Sequence, residues 1–305
     1  MKKIFLILAS VSILFFLQSC SDKELDNVNI ETNNLKFENS EFIRFDNPYN
    51  DIGIIHNQFL LDIGKSISLQ LEYLIGSKEI KKSMMDDVLS ITLDSCSKIM
   101  SRQCEIPISE SDAHLAELIE GMNTRDLVNN PTDFDIEIGE LIKSAKGDFT
   151  ILLSSLFKKE GELITEINIY GEKEELRNNL ISLTVFKYSL IFWMDAIGNN
   201  DNPWHNYITE AYINKNLVFI DDNNSKFLFG LFDAAINFVA SAVDFVSSKW
   251  KGILGGAVGI TGCDYAAIHM SGGLFGMGPA GWAAGGIIVG GSSAVGGLIG
   301  WVIPW

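Results

Sequence analysis

Residues 265–305 carry no permanently charged side chain, and 17 of the 27 glycines in the chain fall between residues 252 and 300. A stretch with so little charge and so few large side chains cannot build an ordinary globular core alone. It has to lie against another surface, whether protein, bilayer or a second copy of itself. Its small residues recur four apart, at Gly255 and Gly259, at Gly281 and Gly285, at Gly286, Gly290 and Ala294, and at Ser292, Gly296 and Gly300. Such faces let helix backbones approach closely, as in glycine zippers. Gly276, Gly278 and Pro279 supply a turn between two apolar arms, so a helical hairpin is the simplest expected shape.

The second arm, residues 282–302, would reach about 31 Å as a helix, which matches a bilayer core. Trp282, Trp301 and Trp305 are placed to act as interface anchors. Its seven large aliphatic residues favour insertion by about 2 to 4 kcal/mol, and its seven glycines each weaken the helix by up to about 1 kcal/mol, so insertion is marginal. The alternative is packing on the apolar segment 227–246, whose Asp233, Asn237, Ser241 and Asp244 form a narrow polar stripe. In composition the tail resembles membrane-active bacteriocin peptides and the hydrophobic hairpins of pore-forming toxins.

The preceding part of the chain is its chemical opposite. Residues 20–226 hold 19 basic against 36 acidic side chains, a net charge of −17, which disfavours nucleic acid as a partner. Apolar residues here recur mostly at helical spacing. Ile52, Ile55, Phe59, Ile63, Ile67, Leu71 and Leu74 share one face, and Met84, Met85, Val88, Ile91 and Leu93 predict a second amphipathic helix. Ser109 with Asp112 imitates a capping box, with Gly121 as a stop. Residues 180–194 are apolar on most sides, broken chiefly by Lys187, and read as the central helix of a bundle. Residues 162–170 partly alternate and are compatible with a strand. The expected class is mainly α: a bundle-like acidic domain over residues 46–226, followed by a glycine-rich apolar hairpin over 227–305.

At the amino terminus, Lys2 and Lys3 precede an apolar run over residues 4–17 that only Ser10 and Ser12 interrupt, the pattern of an export signal ending at residue 19. Leu17, Gln18, Ser19 and Cys20 resemble a lipobox, although Gln18 replaces the small residue usual there. The resemblance implies a lipid-bearing Cys20 as the first mature residue. Ser21, Asp22, Lys23 and Glu24 are similar to the surface-export tag of Bacteroidota lipoproteins, and residues 20–45 read as an Asn-rich tether. The expected location is the outer membrane or cell surface. Asn47, Pro48, Tyr49, Asn50, Gly53, His56 and Asn57 resemble a segment of uncharacterised secreted Bacteroidota proteins, differing at Asn50, where an acid is expected.

No chemistry-bearing motif emerges. There is no HExxH, CxxC, GxxxxGK or GxSxG. Asp133, Asp135 and Glu137 open like a calcium loop, but Ile138 and Ser144 occupy the positions that need glycine and the bidentate acid, so a helix entry is expected. Cys96 and Cys104 lie eight apart, beyond disulfide reach on a continuous helix, and Cys263 is remote from both. Neither a metal nor another cofactor is implied. Asn202, Pro203, Trp204, His205 and Asn206 echo the segment at Asn47. His56 and His205 are therefore weighed as a hydrolase pair, against the simpler reading that Pro starts a helix and His and Asn make local hydrogen bonds. The functional expectation is an anchored lipoprotein whose tail associates with membrane or with itself. A toxin-like effector is the alternative, and an enzyme is disfavoured.

Overall fold

The apolar run at 180–194 organises the molecule. In a computed structural model, residues 42–104, 132–145, 148–214 and 216–220 are described, together with 290, 291, 293, 294 and 296–298. Cys20, its tether up to residue 41, the Ser109 capping box, Cys263 and the turn at Pro279 lie outside these residues. In chain order the elements are α1 (Asn50–Ser66), α2 (Ser68–Ser77), β1 (Glu79–Lys81), α3 (Lys82–Cys104), α4 (Asp133–Ala145), α5 (Phe149–Tyr170), α6 (Glu174–Gly198), α7 (His205–Ile208), a π-helical turn (Thr209–Ile213) and β2 (Val218–Ile220). The fold is mainly α.

Helix α6 begins with Glu174 and Glu175, which suit the positive end of a helix dipole, and every residue from Leu180 to Trp193 is buried. By length and composition it is the one helix among the described residues that could cross a bilayer, yet protein covers it. Helices α1 and α5 flank it, α3 packs on α1, α4 on α5, and α7 bridges α6 and α2. Short parallel strands β1 and β2 pair Ile80 with Phe219.

The apolar face expected from Ile52 to Leu74 is buried except at Ile55, which is half-buried. It is carried by two helices, because the backbone turns at Ile67 (φ −104°, ψ 14°) between α1 and α2. On α3 the buried face runs through Met85, Val88, Leu89, Thr92, Cys96 and Met100. Ile91, expected on that face, is exposed because it lies a quarter-turn off the line joining Val88 and Thr92. Helix α3 does not break between Cys96 and Cys104, and Cys96 is a buried free thiol.

Residues 162–170 correct the strand expectation, for they form the last turns of α5. Leu152, Leu153, Leu156, Glu160, Leu163 and Ile164 hold a 3.6-residue period that the short window hides. The helix stops at Gly171, whose φ of 82° and ψ of 164° suit glycine alone. The acidic stretch at Asp133 is a helix entry, as expected. Asp135 N–H donates to Thr132 Oγ1 (3.2 Å) and Thr132 N–H donates to the Asp135 carboxylate (2.6 Å), a reciprocal capping box.

Candidate functional site

The segment from Asn47 to Asn57 docks on a little over one turn of α6. Asn47 Oδ1 accepts from Tyr49 N–H (2.8 Å), closing a turn in front of Pro48, while its amide donates to Thr184 Oγ1 (2.7 Å) and Glu160 Oε1 (2.6 Å). Gly53 lies so close to the Tyr188 ring that a Cβ would overlap it. Asn57 Nδ2 donates to the Tyr188 carbonyl (3.0 Å), and Asn57 Oδ1 pairs with His56 Nδ1 (2.8 Å). Asn50, which departs from the acid expected there, donates to the Arg44 carbonyl and accepts from Tyr188 Oη (3.3 Å).

The echo at Asn202 repeats the same device. Asn202 Oδ1 accepts from Trp204 N–H (3.1 Å), its amide donates to Asp195 Oδ2 (3.1 Å), and Trp204 Nε1 donates to the Leu60 carbonyl (2.9 Å). His205 Nδ1 meets the Ala196 carbonyl at 3.1 Å. Tyr188 and Ala196 are eight residues apart, about 12 Å along α6. The hydrogen bonds around the two histidines therefore fasten helices at separate points rather than framing one pocket. Among the described residues no group of three His, Cys, Asp or Glu side chains is arranged to hold a metal.

Between α5 and α6 lies a fully buried ion pair. Lys187 Nζ reaches both Glu160 oxygens, at 2.7 and 2.6 Å, and Asn47 adds its amide to the same carboxylate. Desolvation pushes the Glu160 carboxyl above its ordinary range and the Lys187 ammonium below its own, and their mutual attraction opposes both shifts. With every strong polar atom of the pair engaged, this network locks α5, α6 and the amino-terminal turn in one register.

The tail meets the helical domain at an aromatic seat. Its described residues over 290–298 are helical and buried. Gly290 rests on Phe59 of α1, where a Cβ would lie 2.7 Å from Cδ1, and Gly297 rests on the Trp193 ring of α6 with no room for a Cβ. Trp193 Nε1 donates to Ser293 Oγ (3.1 Å), and Tyr207 Oη of α7 donates to the Leu298 carbonyl (2.6 Å). Burial pushes the Tyr207 hydroxyl up, so it remains a donor. Trp193 is itself braced edge-on by Phe192 and Trp204, at centroid distances of 5.1 and 5.3 Å. Positions 290, 293, 294, 297 and 298 form one helical face, and they are what lets the backbone come this near. No family model, curated protein or solved structure matches the chain.

Of the residues expected on a membrane or assembly face, Gly290, Ala294 and Gly296 are buried here. Gly281, Gly285, Gly286, Ser292 and Gly300 lie outside the described residues, as do Trp282, Trp301 and Trp305. The surface that receives the segment belongs to the acidic domain. Trp193, Tyr207, Ser293, Gly297 and Leu298 were not singled out by sequence, and Phe59 was expected only as part of the apolar face of residues 52–74. Leu298 is the largest side chain the described tail residues contribute, worth about 2 to 3 kcal/mol on full burial. Among the described residues, the rest of the hold is close backbone contact and two hydrogen bonds, each worth about 1 kcal/mol net.

Proposed function

We propose that this is a lipid-anchored envelope protein, attached through a diacylated Cys20 at the outer membrane or cell surface, whose glycine-rich C-terminal region serves membrane association or self-assembly. The observation that carries the functional half is the small-residue face of residues 290–298, which is used for backbone-close helix contact against Phe59 and Trp193. The anchoring half rests on Cys20 ending the apolar run after Lys2 and Lys3. Two acyl chains on one terminus suffice for stable anchoring. Metabolic labelling with a fatty-acid analogue should mark the wild-type protein and not Cys20→Ser, with the variant losing lipid-mediated membrane attachment. Equal labelling of both would remove the lipoprotein assignment.

A toxin-like effector is the second reading, favoured by the enclosure of an uncharged, helix-packing segment in a strongly acidic domain. That arrangement would carry a membrane-competent segment through water. A hydrolase using His56 or His205 has less support, since the hydrogen bonds at both positions brace the helices around α6.

A further inference from the structure

We infer that the seat made by Phe59, Trp193 and Tyr207 keeps residues 290–298 stowed, and that leaving the seat is the step that makes the tail available to a bilayer. This inference rests on the membrane and assembly reading above and adds its control. The face bearing Gly290, Ala294 and Gly297 is the one that close helix packing requires, and in the seat it is already filled by aromatic rings. One face cannot serve both contacts.

The seat also reads register. Trp193 engages Ser293 and Tyr207 engages the carbonyl five residues further on, so a slip of one residue along the segment would break both hydrogen bonds and, in one direction, put Leu298 where Gly297 meets the Trp193 ring. Among the described residues, what the segment gives the hydrophobic core in side chains is Ala294 and Leu298. The contacts of α6 with α1 and α5 do not pass through it. The contacts that join α1, α3, α5 and α6 are made among those helices themselves.

The test uses the full mature chain carrying Cys20→Ser, so that lipid does not dominate binding, with Cys104 and Cys263 replaced by Ser. Phe59→Cys with Gly290→Cys provides a lock, because Phe59 Cγ, near where the sulfur would sit, is 3.4 Å from a Cβ built on Gly290. Gly290→Leu with Gly297→Leu provides an expelled tail. Dye-loaded vesicles of phosphatidylethanolamine and phosphatidylglycerol report leakage, and co-sedimentation reports binding. The oxidised lock should bind and leak at least tenfold less than the same protein after reduction, and the expelled variant should bind at least tenfold more than its parent. Because reduction reverses the lock in one polypeptide, misfolding cannot imitate the result. Equal binding and leakage by oxidised and reduced lock would overturn the stowed state. Failure of every form to bind, including the expelled one, would instead remove the membrane reading on which it rests.

Discussion

Lys187→Met isolates the buried ion pair. The substitution keeps the length of the side chain in α6 and removes its charge, leaving the Glu160 carboxylate fully buried with the Asn47 amide as its hydrogen-bond donor and the Arg44 charge at longer range. Breaking one side of such a pair costs about 3 to 5 kcal/mol, because an uncompensated buried charge is worse than none. Pairing it with Glu160→Leu should recover most of that loss. One Asn47 N–H is then left without its acceptor while its bond to Thr184 survives, a residual deficit of about 1 to 3 kcal/mol. The single variant should also acquire a distinctive pH dependence. Without Lys187 the folded-state Glu160 pKa rises further above its unfolded value of about 4.3. Folded protein then binds a proton that unfolded protein lacks across the interval between those two values. Stability is fullest at the acid end and is lost as pH rises, by up to about 1.4 kcal/mol per unit. Urea unfolding of wild type, both single variants and the double variant, at pH 7 and pH 5, gives the cycle. The gap between Lys187→Met and wild type should be widest at pH 7. A loss below about 1 kcal/mol with no pH dependence in that gap would refute a buried, mutually dependent pair.

Two glycine substitutions in helices should have opposite signs. Gly53→Ala drives a methyl into the Tyr188 ring and should destabilise by about 1 to 3 kcal/mol, whereas Gly76→Ala in α2 meets nothing within 4 Å and should stabilise by up to about 1 kcal/mol. Thermal unfolding of both reads the contrast, and a gain at Gly53 would contradict the close approach of α1 to α6. Asp148 caps α5 by accepting from Ile151 N–H at 3.0 Å, so Asp148→Ala should cost about 1 kcal/mol, measured by urea midpoint, while Asp148→Asn should cost little.

What could be read in advance was what depends on local period. The burial of residues 180–194, the faces of α1 and α2 and the helix entry at Asp133 all follow from spacing and end chemistry. Residues 162–170 misled because a nine-residue window of alternating aliphatics hides a helical period that began at Leu152. Ile91 misled because apolar character alone does not say on which side of a turn a residue falls. Lys187 stood out as the charge within an apolar run, but nothing near it nominated Glu160, 27 positions earlier and on another helix. The Thr132 and Asp135 box is legible as T-x-x-D, within the same acidic run whose spacing imitates the opening of a calcium loop. The aromatic seat was not legible at all. Gly290 advertised a close contact, but spacing within one segment carries no information about the partner, and Phe59, Trp193 and Tyr207 come from three different helices.

The bonds that close the acidic domain have a consequence for the order in which the chain can become a domain. Asn47 is bonded to Glu160, Asn57 to the Tyr188 carbonyl, and Trp204 to the Leu60 carbonyl, at separations of 113, 131 and 144 residues. During synthesis, α1 therefore emerges long before α6, the helix with which it packs most extensively, and its buried face lacks that cover until α6 has been made. Closing loops of this length is an entropic cost that delays assembly rather than weakening the finished fold. For the exported lipoprotein proposed above that delay would be useful: a polypeptide that cannot close its domain until some two hundred residues have appeared stays threadable while it is handed to an export machinery.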